Sequence, residues 1–317
     1  MDKARTIKRM EGCFVAVPTY FHEDLSLNLD ARRKHTKFLI DGGLREGNAC
    51  LLTTGASGDF TTLTVDERLE VAEAVLEETQ GRVGLIVGAQ SCNQAESIEI
   101  AQGAARLGAD AVQISPPYYH PHTPRDVYEY VKAVGESADI GLVVYPTFWT
   151  ATPLTEDEIE QMIDDVPNIV SIKYAARYAL QFMSGTRRFS KKVCVGDNQL
   201  CTIDAYLAGA RSFNIHICNF WPQWGINLMK LLDEAQYTEA YERVMDVLLP
   251  WYEFYWHAKT ITGGEGHLDK IATELLGFET SRCRPPTRDI REEFRPKMRA
   301  YMERIGVPKP EGVAQPA

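Results

Sequence analysis

Short apolar runs alternate with longer stretches of helical spacing from residue 13 to residue 217. The runs are Cys13–Pro18, Ala49–Thr54, Val83–Ala89, Ala111–Pro116, Gly141–Pro146, Ile169–Tyr174, Lys192–Gly196 and Ser212–Ile217. Several are unbroken hydrophobics, such as Leu85-Ile86-Val87 and Leu142-Val143-Val144, which suits strands covered on both faces. The stretches between them carry helix signals. Thr64-Val65-Asp66-Glu67 is a capping box ahead of Leu69, Ala72 and Leu76 at helical spacing. Thr123-Pro124 and Thr155-Glu156-Asp157-Glu158 open two more helices, and Gly108 closes the one that begins near Gln94.

Eight such units in register predict an α/β fold of the (β/α)8 TIM-barrel kind, since open doubly wound sheets rarely reach eight repeats. No G-x-G-x-x-G follows any strand, which argues against dinucleotide binding. After strand eight the pattern is helical only, through Tyr237–Thr260, His267–Leu276 and Ile290–Ile305. The expected division is a barrel over residues 1–224, the eighth barrel helix plus a C-terminal helical extension over 225–306, and a frayed Pro- and Gly-containing tail over 307–317.

Composition narrows the function. The chain has 317 residues, 44% of them hydrophobic, and a formal net charge of −10. That acidity disfavours nucleic acid and anionic membranes as partners, because both need clustered Lys and Arg. The N-terminus is polar with no apolar run behind it, so no signal peptide is expected. No stretch is long and apolar enough to span a bilayer. Seven cysteines, scattered and never in C-x-x-C, read as reduced thiols of a cytoplasmic protein rather than as disulfides or a zinc site.

Chemistry in this fold sits at the C-terminal ends of the strands. Lys173, within Ile169-Val170-Ser171-Ile172-Lys173-Tyr174, is the outstanding candidate. Alternation puts Ser171 and Lys173 on one face and Val170 and Ile172 on the other. Burial in the barrel would lower the lysine pKa to roughly 7–8 and yield the neutral amine that attacks a ketone. The structural alternative is an ion pair with an interior carboxylate such as Asp197. Tyr145 ends the preceding strand, from where its phenol can move protons beside Lys173; alone it reads as a rim aromatic. Gly55-Ala56-Ser57-Gly58-Asp59 is a glycine loop able to turn backbone N–H groups and the Ser57 hydroxyl toward a carboxylate. Asn214 is a polar residue within strand eight, pointing either into the pocket or to an interior partner.

The glycine loop, Pro117-Tyr118-Tyr119, Tyr145 and Ile172-Lys173, in this order, resemble the dihydrodipicolinate synthase / N-acetylneuraminate lyase family. The likeness starts at Val17-Pro18-Thr19, passes through Gly58-Asp59-Phe60-Thr61-Thr62-Leu63-Thr64 and ends near Cys283-Arg284-Pro285-Pro286. It implies a barrel with a C-terminal helical extension, assembled as a homotetramer or dimer, that forms a Schiff base with pyruvate or another 2-keto acid and needs no cofactor and no metal. By position, Lys173 would be the Schiff-base lysine and Tyr145 the proton shuttle. Ala56 and Ser57 would hold the keto-acid carboxylate, and Tyr119 would complete a relay across a dimer interface. Three departures stand out. Ala56 replaces the first hydroxyl of the loop, so the usual relay through that side chain is missing. Tyr145 is followed by Pro146-Thr147-Phe148-Trp149-Thr150 rather than Asn-x-Pro, and Thr150 stands where a dihydrodipicolinate synthase would carry a substrate-binding arginine. Gly47-Asn48-Ala49-Cys50 lengthens the lead into strand two.

Phe148, Trp149, Phe220, Trp221 and Trp224 follow strands five and eight. At the mouth they would make an apolar pocket suited to an apolar or aromatic aldehyde; as lid or interface packing they would say nothing of substrate. The functional expectation is therefore a Schiff-base lyase, aldolase or hydratase-aldolase, with a 2-keto-3-deoxy sugar-acid aldolase or dehydratase as its rival. Two readings of other classes remain. A keto-acid-binding barrel without catalysis is favoured by Ala56. A metal-dependent hydrolase would use His120, His122 and His216, but the His pair follows strand four, not strand one. The aromatic run Trp251–Trp256 reads as packing of the C-terminal segment.

Overall fold

Strands buried on both faces must be apolar at nearly every position, and the eight runs meet that condition. In the computed structural model, which describes residues 1–308, they form β1 (Gly12–Ala16), β2 (Ala49–Thr53), β3 (Gly84–Gly88), β4 (Ala111–Ile114), β5 (Gly141–Val144), β6 (Ile169–Tyr174), β7 (Cys194–Asp197) and β8 (Ser212–Asn214). Neighbours pair in parallel, and β1 also pairs with β8 at Gly12↔Ser212 and Phe14↔Asn214, so the barrel closes. The TIM-barrel expectation is borne out. The strands of the mouth stop short of Pro18, Pro116 and Pro146, which lack the N–H a ladder requires.

Alternation sorts the side chains into two cores. Phe14, Ala16, Cys50, Leu52, Ile86, Ala111, Val143, Val170 and Cys194 fill the barrel, with Met10 below them. The opposite parity (Val15, Leu51, Leu85, Val87, Val112, Leu142, Ile172, Val195) packs against the helices. A helix not foreseen from the sequence, α1 (Lys3–Arg9), precedes β1 with Asp2 as its N-cap. Its Arg9, buried, ties Asp110 (2.6 Å) and Glu46 together at the end of the barrel opposite the mouth.

The crossover helices are α2 (Leu29–Asp41), α3 (Val65–Thr79), α4 (Gln94–Leu107), α5 (Pro124–Ser137), α6 (Glu156–Asp165), α7 (Ala179–Phe189) and α8 (Thr202–Ala208). Thr64, Thr123 and Thr155 each close a capping box, and Gly108 ends α4 at φ +88°, a left-handed turn that favours glycine. The eighth barrel helix, α9, runs Pro222–Asp233, three residues ahead of the position expected. The extension holds α10 (Tyr237–Arg243), α11 (Leu249–Lys259), α12 (His267–Leu275) and α13 (Arg291–Ile305). A π-helical turn over Val244–Leu248 joins α10 to α11 just before Pro250, whose missing N–H and ring a tighter ladder would not accommodate. All but the first two residues of the expected tail lie outside the described residues.

The extension is fastened to the mouth by ionic contacts, not by apolar packing alone. Lys270 of α12 meets Asp59 of the glycine loop at 2.6 Å, with both side chains essentially inaccessible. Beside it, Asp269 meets His216 at 2.9 Å. Gly266 lies so close that a Cβ there would sit 2.2 Å from the Ser57 carbonyl oxygen. Arg284 reaches Glu67 (2.6 Å) and the carbonyls of Thr62 and Leu25. Removing one partner of a buried pair strands the other charge, at a cost of about 3–5 kcal/mol. Lys270→Ala is therefore expected to lower the melting temperature by several degrees, whereas Lys37→Ala, which breaks an exposed i,i+4 pair with Asp41, should move it by about a degree or less. Equal, small shifts in thermal denaturation would contradict this account of the docking.

Candidate active site

Lys173 owes its orientation to an irregularity in β6. Leu142 pairs with Ile169, but the next residue, Val143, pairs with Ser171, so Val170 is an extra residue. Such a bulge reverses the parity beyond it. Val170 consequently joins the barrel interior along with the inward positions of the other strands, not the outward face that strict alternation assigned to it. Ile172 and Tyr174 then pack outward, and Lys173 projects into the cavity at the mouth.

Lys173 is 7% exposed and makes no ion pair among the described residues. Its Nζ lies 4.7 Å from the centre of the Phe14 ring and 4.6 Å from that of Tyr145. Burial without a paired carboxylate brings its pKa down to about 8, with Glu265 opposing the shift from a distance. Asp197, the carboxylate alternative, is engaged elsewhere: it accepts the N–H groups of Gln199 (2.8 Å) and Leu200 (3.0 Å). Burial pushes its pKa up to about 6.

The Tyr145 hydroxyl accepts a hydrogen bond from Asn198 Nδ2 at 3.0 Å, which leaves its own proton free to be given. Burial raises its pKa far above the ordinary value, so the phenol stays protonated. The glycine loop reaches the same cavity through Ala56 and Ser57. Thr54 bends the chain into it at φ +49°, a costly conformation for a β-branched residue. The N–H groups of Ala56 and Ser57 have no hydrogen-bond partner among the described residues. Asp59, also at positive φ, turns away from the cavity to Lys270.

The cavity encloses about 690 Å³. Phe148, Trp149 and Thr150 line it, with Thr150 donating to Thr147 Oγ1 at 2.6 Å. Asn214 also lines it, and its Oδ1 is buried without a partner. Tyr119 does not: it is 80% exposed and packs on His120, while its neighbour Tyr118 reaches the cavity. Phe220 and Trp224 are absent from the mouth because the 3-10 turn His216–Asn219 sends the chain under α9, where Phe220 meets Trp251 at 5.4 Å. Among the described residues no group of three or more His, Cys, Asp or Glu is arranged to hold a metal ion.

Several lining residues escaped the sequence reading. Gln113 lies in β4, Gln90 and Ser115 follow β3 and β4, and Asn198 and Gln199 follow β7. The largest omission is the extension itself: Tyr252, Tyr255, Trp256, Lys259 and Glu265 wall the cavity, although Trp251, in the same run, is core. Tyr252, Tyr255, Trp256 and Lys259, three and four residues apart, mark one face of α11, a signal present in the sequence but not tied to the barrel mouth, and Glu265 follows that helix. Glu265 lies 3.2 Å from Lys259. Burial works to raise its pKa, but Lys259, the Tyr255 hydroxyl and His216 outweigh that and hold it below the usual value.

These features define a class: a (β/α)8 enzyme with an unpaired lysine and a protonated tyrosine facing each other in one cavity. Residues 9–305 match the model of the dihydrodipicolinate synthetase family, and the chain belongs to that family, whose members are lyases of the class I aldolase type. This bears out the resemblance read from the sequence. A 4-hydroxy-tetrahydrodipicolinate synthase of Corynebacterium aurimucosum is 30% identical over 92% of this chain and 94% of its own. One of Desulforamulus reducens is 32% identical but aligns over only 51% of this chain and 53% of its own. YagE, a prophage protein of E. coli K12 solved in complex with pyruvate, shares the fold at a TM-score of 0.83 and 21% identity, covering 94% of this chain and 99% of its own.

An unpaired buried ammonium is destabilising. The folded pKa of Lys173 lies below the unfolded value of 10.5, so the penalty is fully present below about pH 8 and fades as pH rises toward 10.5. Lys173→Met should therefore stabilise the fold by about 2–3 kcal/mol at pH 7, and by much less near pH 10. Urea unfolding at the two pH values measures this; a variant less stable than the parent at pH 7 would contradict it.

Proposed function

We propose that the chain is a Schiff-base-dependent lyase that makes or breaks a C–C bond to pyruvate or a related 2-keto acid, with an apolar or aromatic aldehyde as the other partner. The observation that carries this reading is Lys173, buried in the cavity with no carboxylate partner and facing Tyr145. The neutral amine adds to the ketone, and loss of water gives the Schiff base. Tyr145 gives and takes protons in those steps. The free N–H groups of Ala56 and Ser57 and the Ser57 hydroxyl bind the carboxylate. Loss of a C3 proton gives an enamine, which attacks the aldehyde carbon; hydrolysis then frees Lys173. Pyruvate is present in the YagE complex, which supports this substrate class.

The aldehyde preference rests on the walls. Phe60, Tyr118, Phe148, Trp149, Tyr252 and Trp256 surround the cavity, and Thr150 offers no cation for a second carboxylate. A 2-keto-3-deoxy sugar acid is the second reading, favoured by Gln90 and Gln113, whose Oε1 atoms are buried and unpartnered. The chain acts in the cytoplasm as a homo-oligomer on this reading, with exposed Tyr119 contributing to a subunit contact. Condensation of pyruvate with a panel of aldehydes tests the preference. Benzaldehyde-type acceptors are expected to exceed glyceraldehyde in kcat/KM by about tenfold or more, as burial of a ring implies. The reverse order would favour the sugar acid, and no condensation with any acceptor would overturn the lyase reading.

A further inference from the structure

The relay that the family resemblance implies has lost its hydroxyl at Ala56, yet the same cavity holds a proton-handling pair that this relay does not include. His216 opens the turn after β8 and lines the cavity beside Asn214. Its Nδ1 lies 2.9 Å from Asp269 Oδ2, and Asp269 is wholly buried. The other carboxylate oxygen accepts from Asn219 Nδ2 at 3.1 Å, and that amide also donates to the Ala16 carbonyl at 2.9 Å. The imidazole stacks on Trp251, 5.8 Å between centres at 27°. Ring plane and tautomer are thereby fixed: Nδ1–H donates to Asp269, and Nε2, with no partner among the described residues, is left as the base.

We infer that His216, oriented by Asp269, is the catalytic base for the hydroxyl of the C–C cleavage step. The inference rests on the lyase reading above. With a 4-hydroxy-2-keto acid bound to Lys173 as Schiff base, Nε2 takes the proton of the C4 hydroxyl. The O–H electron pair forms the aldehyde C=O, the C3–C4 bond breaks, and its electrons pass into the enamine and neutralise the iminium nitrogen. In condensation the imidazolium returns that proton to the aldehyde oxygen. Asp269 and Asn219 are positioning residues.

The groups facing His216 set its titration. Burial works to lower its pKa, but Asp269 and, further off, Glu265 outweigh burial and Lys173, and the net direction is upward. Tyr252 and Tyr255 are its aromatic neighbours and stay protonated because burial raises both. Cleavage needs neutral His216, so kcat should fall as pH drops through its raised pKa.

The test pairs two readouts on the full chain: hydrogen–deuterium exchange at C3 of pyruvate, followed by NMR, and cleavage of a 4-hydroxy-2-keto acid. Exchange needs Lys173 and enamine formation but no C4 hydroxyl. In His216→Asn, exchange is expected to persist while cleavage kcat falls about 100-fold or more and loses its acid limb. Asp269→Asn, should the first variant fold poorly, is expected to keep exchange and move the acid limb to lower pH. Exchange with undiminished cleavage and an unchanged acid limb in both variants would overturn the role of His216. No exchange in the parent chain would instead remove the lyase reading on which it rests.

Discussion

An ammonium buried with no carboxylate at hand is the constraint that the rest of the site answers to. A chain selected for stability alone would pair Lys173 or replace it. Here Asp197, the carboxylate the sequence offers as a partner, is occupied by backbone N–H groups, and the lysine is left among Phe14 and Tyr145. The bulge at Val170 is what directs it inward, and the closed barrel removes it from water. Proposed nucleophile and local instability thus share one cause.

The cavity becomes a site only when the extension is counted. Strand ends supply Lys173, Tyr145 and Asn214, but α11 and the segment before α12 supply Tyr252, Tyr255, Trp256, Lys259 and Glu265. Two adjacent residues of α12, Asp269 and Lys270, bind His216 and Asp59, each on a different barrel loop. The glycine loop is therefore held from behind by the same helix that orients the histidine. Displacement of α12 would disturb both at once.

The barrel was legible because its signals are local: unbroken apolar runs, three capping boxes and Gly108. Lys173 and Tyr145 were legible because each ends an apolar strand. The bulge was not, since Val170 and Ser171 look like any alternating pair. Helix α1 is too short and polar to show an apolar stripe, and its Asp2 cap alone does not mark it. The aromatic residues could not be sorted locally: Phe220 and Trp224, left open between pocket and packing, are core, whereas Tyr252, Tyr255 and Trp256, expected to be packing, line the cavity. Which face of a helix meets the mouth is decided by long-range docking, here by Lys270 and Asp59, 211 residues apart, and no local pattern carries that information.

The most direct measurement is reductive capture: the chain is incubated with pyruvate and borohydride, and the product is located by intact and peptide mass spectrometry beside Lys173→Ala. The account predicts one reduced adduct per chain on Lys173, absent from the variant. Failure of pyruvate and of larger 2-keto acids to leave any adduct, or an adduct on another lysine that survives in Lys173→Ala, would contradict it.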